Sequence, residues 1–125
     1  MARILLVEDD LDVRPLMEHI IKTEGHEVMA VETMANGISL LQSQPFDLVV
    51  TDANLPDGSG LRVADKAKEA GVRALVITGY GLTLKPGSLA AYDYLLKPLR
   101  ASELLDAIRR RLPREGGQVV PFSKP

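Results

Sequence analysis

The 125-residue sequence contains no cysteine, which excludes a disulfide framework and thiolate chemistry. No apolar run approaches the length of a membrane span. The formal net charge of −2, from 15 basic and 17 acidic residues, gives no electrostatic footprint for nucleic acid or for an anionic membrane. An apolar strand pattern begins almost at Met1 and leaves no room for a signal peptide. We therefore expect a cytoplasmic protein that binds neither nucleic acid nor membranes directly.

What the sequence does contain is a regular alternation of two hydrophobic patterns. Short apolar runs without a polar face are typical of strands in a parallel sheet that is covered by helices on both sides. Segments with helical spacing of apolar residues lie between them. The apolar runs are 4–7, 28–31, 48–50, 74–77 and 94–96, and the clearest helical segments are 13–21, 38–41, 61–67 and 104–112. This alternation predicts one α/β domain with a five-stranded parallel sheet.

The segment between the fourth and fifth strands is the least regular part of the predicted domain. It contains Gly79, Gly81, Pro86 and Gly87, so that only about eight residues remain for a fourth helix. We expect that helix to be short, bent or partly unwound. We place the domain at residues 1–113, and we interpret 114–125, which lacks periodicity, as a tail or the start of a linker.

Polar side chains follow all five predicted strands, although the second ends only in Glu32 and Thr33. Glu8 and Asp9 follow the first run, Asp52 ends the third, Thr78 ends the fourth and Lys97 follows the fifth. Because ligands bind at the carboxyl ends of strands in open parallel sheets, we expect these groups to meet at one edge. Neighbouring carboxylates need a cation to remain ionised, and Mg²⁺ suits such a set because it prefers oxygen ligands and leaves a position for phosphate.

Four motifs carry a family resemblance. They are VEDD at 7–10, TDANLPDGSG at 51–60, VITG at 76–79 and YLLKP at 94–98. In this order they resemble the receiver domain of two-component response regulators over roughly residues 3–112. The resemblance implies a doubly wound, flavodoxin-like or CheY-like three-layer sandwich with strand order 2-1-3-4-5. It also implies a phosphorelay function in which a sensor histidine kinase or a histidine phosphotransfer protein phosphorylates the domain.

The resemblance further implies a role for each side chain at the predicted edge. Asp52 would form the aspartyl phosphate, and Thr78 and Lys97 would contact the phosphoryl oxygens. Mg²⁺ or Mn²⁺ would be held by three carboxylates and one backbone carbonyl. These ligands are Glu8, Asp9, Asp52 and the carbonyl of Asn54. The domain would catalyse only its own phosphorylation and autodephosphorylation and would not otherwise be an enzyme.

Further roles implied by the resemblance concern the switch and its output. Thr78 and Tyr94 would change conformation on phosphorylation, although Tyr94 could also be a plain core residue. Asn54 and Tyr80 would tune the lifetime of the phosphoryl group, and Pro98 would follow a cis peptide bond. The switched surface would bind a downstream effector protein or an effector domain that the chain has lost, and a phosphorylation-dependent homodimer is an alternative output.

Other functions remain open at this stage. Asp10 and Asp12 match the DxDxV motif of haloacid-dehalogenase-like phosphatases, and a pseudo-receiver would bind partners without phosphorylation. A flavin or nucleotide binder is less favoured because no glycine-rich loop follows the first strand. We interpret Asp10 alone as a cap of the first helix, and Asp57 as a turn residue that folds its loop back to the third helix.

Three basic segments receive structural interpretations. His19 and His26 are interpreted as ordinary surface histidines rather than as phosphoryl donors. The run 109–111 consists of three arginines in the last turn of the final helix, where cations complement the helix dipole.

Overall fold

The computed structural model describes residues 1–79 and 92–112. These residues form five strands of one sheet, a two-stranded hairpin and four helices. In chain order the strands are β1 (Arg3–Val7), β2 (Glu27–Val31), β3 (Leu48–Asp52), β4 (Asn54–Leu55), β5 (Gly58–Ser59), β6 (Arg73–Thr78) and β7 (Asp93–Leu96). The helices are α1 (Val13–Lys22), α2 (Met34–Ser43), α3 (Gly60–Glu69) and α4 (Ala101–Arg111).

The main sheet has the order β2-β1-β3-β6-β7, and all its neighbouring strands are parallel. Counted over the strands of this sheet, that order is the 2-1-3-4-5 implied by the resemblance, so the predicted fold is confirmed. β4 and β5 form a separate antiparallel hairpin directly after β3, in which Asn54 pairs with Ser59 and Leu55 with Gly58. The hairpin therefore begins two residues after Asp52.

β1, β2, β3 and β6 contribute side chains to the cores on both faces of the sheet, because successive residues of a strand point to opposite faces. In β1, Ile4 and Leu6 pack with Met17 of α1 and Ile108 of α4. Leu5 lies on the opposite face of the sheet and packs with side chains of α2 and α3. The sheet is thus a middle layer between two pairs of helices, which is the three-layer arrangement that the sequence predicts.

The helices begin where polar side chains accept hydrogen bonds from otherwise unpaired backbone amides. The Asp10 carboxylate accepts from the amides of Asp12 and Val13, at 2.8 and 2.9 Å, at the start of α1. The Thr33 hydroxyl accepts from the amide of Asn36 at 3.1 Å at the start of α2. The capping role predicted for Asp10 is therefore confirmed. Capping occupies the carboxylate of Asp10, which the phosphatase motif would need as its nucleophile.

Two sequence expectations fall outside the described residues. The short fourth helix was expected within 79–93, most of which is not described, and the tail at 114–125 is not described either. In the part of the chain that is described, no helix has both the length and the apolar character needed to cross a membrane.

Candidate functional site

Four strands bring polar side chains to the carboxyl edge of the sheet. Asp52 is the last residue of β3 and Thr78 the last of β6, and the register pairs Asp52 with Ile77, the neighbour of Thr78. Glu8 follows β1 and Lys97 follows β7. The backbone amide of Lys97 donates to the Thr78 carbonyl at 2.7 Å, which continues the strand pairing to the edge. The gathering predicted from the strand ends is therefore present.

An acidic cluster lies at this edge. One carboxylate oxygen from each of Glu8, Asp9 and Asp52 lies within 4.8 Å of the others. Glu8 is 1% exposed and Asp52 is 9% exposed, whereas Asp9 is exposed. Three carboxylates at this spacing repel one another unless a cation lies among them. The cluster is an oxygen donor set that fits a hard divalent cation such as Mg²⁺.

Lys97 is the cation that the chain itself supplies. Its Nζ lies 3.0 Å from Asp52 Oδ2 and 3.2 Å from Glu8 Oε1. The peptide bond between Lys97 and Pro98 is cis. One ammonium cannot neutralise three carboxylates, so the site keeps a net negative charge that a metal ion can balance.

The pKa values of two groups reflect this environment. Burial raises the pKa of the Glu8 carboxyl, and the charge of Asp52 adds to the increase, while a hydrogen bond from the Asp10 amide and the Lys97 charge oppose it. Burial lowers the pKa of Lys97, but hydrogen bonds and charge from Asp52 and Glu8 outweigh that effect, so its pKa lies above the ordinary lysine value. Lys97 therefore remains a cation at neutral pH.

Thr78 is completely buried, and its Oγ1 has no hydrogen-bond partner among residues 1–79 and 92–112. Nearly all buried polar atoms in folded proteins have a partner. Thr51 illustrates the usual case, since its buried hydroxyl donates to the Asp52 carbonyl at 3.1 Å. Within the described residues, the Thr78 hydroxyl is thus a buried donor without a protein partner at the carboxyl edge.

The loop after Asp52 is held closely against the end of β3. The Asn54 amide donates to Asp52 Oδ1 at 3.2 Å, and the Gly60 amide donates to the Ala53 carbonyl at 2.8 Å. A Cβ atom placed on Gly60 would lie 1.7 Å from the Asp52 carbonyl oxygen, so only glycine allows α3 to begin this close. Both ends of this loop are therefore held close to Asp52.

The chain matches the family model described as the response regulator receiver domain over residues 4–109. It belongs to this family. The receiver domain is 33% identical over 114 residues to the response regulator protein FleR of Pseudomonas aeruginosa, a match that covers 87% of this chain and 24% of FleR. It is 33% identical over 117 residues to the response regulator receiver protein CpdR of Brucella abortus, covering 90% of this chain and 98% of CpdR.

Solved structures show the same relationship. The response regulator TrrA of Thermotoga maritima, determined in complex with Mg²⁺-BeF, matches with a TM-score of 0.80 and 29% identity, covering 90% of this chain and all of that one (100%). Among the sequence relatives, the receiver domain spans 24% of FleR and 64% of the acid tolerance regulatory protein ActR of Rhizobium meliloti. These findings confirm the predicted family, the receiver domain of two-component response regulators, and they do not favour the phosphatase or the pseudo-receiver.

Other residues singled out from the sequence occupy different positions in the receiver domain. Tyr94 is 44% exposed on β7, an edge strand of the sheet, so the interpretation of Tyr94 as a plain core residue is wrong. Tyr80 lies outside the described residues. His26 is half-buried, and its Nδ1 accepts a hydrogen bond from the Ala2 amide at 3.1 Å, so it is not an ordinary surface histidine.

Asp57 lies in the predicted turn, between β4 and β5, but its carboxylate does more than shape that turn. Oδ1 accepts from the Met34 amide at 2.8 Å and Oδ2 from the Ala35 amide at 2.9 Å. The expectation that Asp57 serves only to lead the loop into the third helix therefore needs correction, since its side chain binds the start of α2. The turn motif accounts for Asp57 by local structure alone, so it does not indicate this contact with a distant part of the chain.

Arg14 is a site neighbour that the sequence analysis missed. Its Nη1 donates to the Glu8 carbonyl at 3.1 Å and lies 3.6 Å from Glu32 Oε2. The sequence contains only a weak indication of this contact, because an arginine in the first turn of a helix usually faces solvent. Arg14 adds a second positive charge beside the acidic cluster and holds the backbone of Glu8.

Proposed function

We propose that this receiver domain accepts a phosphoryl group on Asp52 in a Mg²⁺-dependent reaction and thereby switches its binding to partners. The observation that carries the proposal is the position of the Asp52 carboxylate, which lies both in the acidic cluster and within 3.0 Å of the Lys97 ammonium. No other carboxylate of the cluster ends a strand of the sheet. Membership of the receiver family supports the same assignment.

In the proposed reaction, a carboxylate oxygen of Asp52 attacks the phosphorus of a phosphohistidine. The new O–P bond forms as the P–N bond breaks, and its electron pair returns to the donor imidazole. Lys97 then pairs with one phosphoryl oxygen, and the Thr78 hydroxyl donates to another, which gives that buried group a partner. Both groups stabilise negative charge where it develops.

The metal ligands in this proposal are the carboxylates of Glu8, Asp9 and Asp52 and the backbone carbonyl of Asn54. Mg²⁺, or Mn²⁺ in its place, would supply positive charge that offsets the negative charge of the phosphoryl oxygens and of the acidic cluster. Glu8 supports this role because it is ionisable and nearly fully buried, and a divalent cation would offset the cost of burying its charge.

The partners follow from the same chemistry. The phosphoryl donor is a sensor histidine kinase or a histidine phosphotransfer protein, and the domain acts in the cytoplasm. The output is an effector protein or an effector domain on a longer polypeptide, with a phosphorylation-dependent homodimer as the alternative. We propose residues 1–113 as the receiver unit and 114–125 as a tail or linker, with no direct binding to nucleic acid or membranes.

We further propose that Thr78 and Tyr94 form the conformational switch, in which phosphorylation favours one of two arrangements. Asn54 and Tyr80 would tune the lifetime of the phosphoryl group, with Tyr80 shielding it from water. An unchanged lifetime in Tyr80→Ala would argue against that shielding role.

Incubation with acetyl phosphate and Mg²⁺ tests the proposed function. The wild type should become phosphorylated, and Asp52→Ala should not. Asp47→Ala is a matched control, because Asp47 precedes the same strand at its other end and accepts a hydrogen bond from the Arg3 amide. Phosphorylation should also be lost when the metal is chelated. An equal signal in wild type and Asp52→Ala would overturn the proposal.

A further inference from the structure

We propose that Asp57 is a positioning residue for the metal site. By binding the start of α2, its carboxylate would fix the loop of residues 53–59 and hold the Asn54 carbonyl where the metal ion needs it. This inference rests on the proposed function, since it assumes that Asn54 contributes a ligand. It assigns a role to a residue that touches neither the metal nor the phosphoryl group.

The first observation is the geometry at the tip of the hairpin. Asp57 uses both of its oxygens, which accept from the Met34 and Ala35 amides at 2.8 and 2.9 Å. These are the first two residues of α2, and their amides have no partner within the helix. The contact joins segments that are 22 and 23 residues apart in sequence. A carboxylate that receives two backbone amides is held in both position and orientation.

The second observation is that α2 already has a local cap. The Thr33 hydroxyl accepts from the Asn36 amide at 3.1 Å. Local capping by Ser or Thr is the usual way in which a helix start is satisfied. The additional carboxylate from Asp57 therefore connects α2 to another part of the molecule as well as completing its cap. The segment it connects is the loop that follows Asp52.

The third observation is close packing beside Asp57. A Cβ atom added to Gly58 would lie 2.6 Å from Met34 Sδ, so the hairpin lies directly against the start of α2. At its base the loop is closed by the bond from the Gly60 amide to the Ala53 carbonyl, at 2.8 Å. Asn54 lies between these two fixed points and pairs with Ser59 across the hairpin.

The consequence is mechanical. Without the Asp57 contact, the base of the hairpin, the burial of Leu55 and the packing on Met34 would still hold the hairpin, but they would fix the orientation of its tip and of the Asn54 carbonyl less closely. The two directional hydrogen bonds of Asp57 supply that orientation. Groups that orient metal ligands without touching the metal commonly change metal affinity by about 10- to 100-fold when they are removed. We expect the lower end here, because a backbone carbonyl is one ligand among several.

A Mg²⁺ titration without phosphodonor, followed by backbone amide NMR shifts, tests the inference. Asp57→Ala should raise the Mg²⁺ concentration for half-saturation by about tenfold. Asp57→Asn keeps one acceptor oxygen and should give an intermediate value. Asp47→Ala, which removes a carboxylate bound to the Arg3 amide at 2.8 Å, should match the wild type. Phosphorylation by acetyl phosphate should recover in Asp57→Ala at saturating Mg²⁺, because Asp52, Thr78 and Lys97 are unchanged.

The outcomes separate the two proposals. If the wild type binds Mg²⁺ and folded Asp57→Ala and Asp57→Asn bind it equally well, the positioning role is overturned and the proposed function stands. If the three Asp variants lose affinity to the same extent, the effect is one of general stability, and the positioning role is again overturned. If the wild type itself does not bind Mg²⁺, the proposed function fails and the inference fails with it.

Discussion

The two edges of the sheet both carry acidic and basic side chains, but they differ in how those groups are satisfied. At the amino edge, the Arg3 guanidinium donates to Gln44 Oε1 at 2.8 Å and to the Pro45 carbonyl at 3.1 Å, and it lies 5.3 Å from the centre of the Phe46 ring. The Arg3 amide donates to Asp47 at 2.8 Å. These hydrogen bonds are exposed or only partly buried, and each of these Arg3 donors has an acceptor from the chain.

At the carboxyl edge, by contrast, the polar and charged groups are not all paired within the described residues. Glu8 is buried with two carboxylate neighbours, one ammonium serves the cluster, and the Thr78 hydroxyl has no partner in the described part of the chain. Buried polar groups without partners are unfavourable for stability, and a bound ion or ligand is one explanation for such a group. This difference supports the proposal that the carboxyl edge binds a ligand, whereas the interactions of the amino edge contribute to stability.

Lys97→Ala should give the largest effect on the carboxyl edge. Without the ammonium, the phosphoryl oxygens lose a charged partner, and the phosphorylation rate with acetyl phosphate should fall about 100-fold. Lys22→Ala is a suitable control, because Lys22 forms an exposed pair with Glu18 at 2.8 Å in α1. A rate within about twofold of wild type in Lys97→Ala would contradict the assigned role.

Thr78→Val should separate function from stability. Valine keeps the shape and removes the unpartnered hydroxyl, so the free energy of unfolding should rise by about 1 kcal/mol. The phosphorylation rate should fall about tenfold, because a donor to the phosphoryl group is lost. Urea unfolding and acetyl phosphate assays on the same preparation measure both. If Thr78→Val were less stable than the wild type and phosphorylated at an unchanged rate, the proposed role of the Thr78 hydroxyl would be wrong.

Arg3→Ala should show the opposite pattern at the amino edge. Losing the hydrogen bonds and the contact with Phe46 should lower the free energy of unfolding by about 1 to 2 kcal/mol, a modest value because the side chain is partly exposed. Phosphorylation and Mg²⁺ binding should be unchanged. If Arg3→Ala lost phosphorylation while its stability was unchanged, the proposed difference between the two edges would be contradicted.

His26 should add a small pH dependence to the amino edge. Burial lowers the pKa of His26, and its Nδ1 must be unprotonated to accept from the Ala2 amide. The neutral form is favoured in the folded state, so its contribution to stability is present above the unfolded pKa of about 6.5 and is lost as the pH falls below it. The fall in unfolding free energy between about pH 7.5 and 5.5 should be smaller in His26→Asn. An identical fall in both proteins would contradict this.

The sequence predicted most of the fold because the hydrophobic pattern is local. All five apolar runs are strands of the sheet, and the four clearest helical segments are helices. The assumption that every strand is buried on both faces holds for β3 but not for the edge strands. Met29 in β2 is 37% exposed and Leu96 in β7 is 53% exposed, because an edge strand has less cover from the helices.

The candidate site was predictable to the extent that it depends on strand ends. Asp52 and Lys97 come together because parallel strands deliver their last residues to one edge. The contacts of Asp57 and Arg14 were not predictable in this way. Asp57 reaches across 22 residues to Ala35, and no local pattern specifies which amide a turn carboxylate will meet. Such contacts depend on the packing of α2 against the hairpin, which is a tertiary property.

The most direct test of the account is to locate the phosphoryl group on the chain. After phosphorylation by acetyl phosphate with Mg²⁺, borohydride reduction converts an aspartyl phosphate to homoserine, which peptide mass spectrometry can assign to one position. We predict homoserine at position 52, and none at the positions of Asp9, Asp10 or Asp57. Modification at one of those residues instead, or no modification of a folded and Mg²⁺-bound protein, would contradict it.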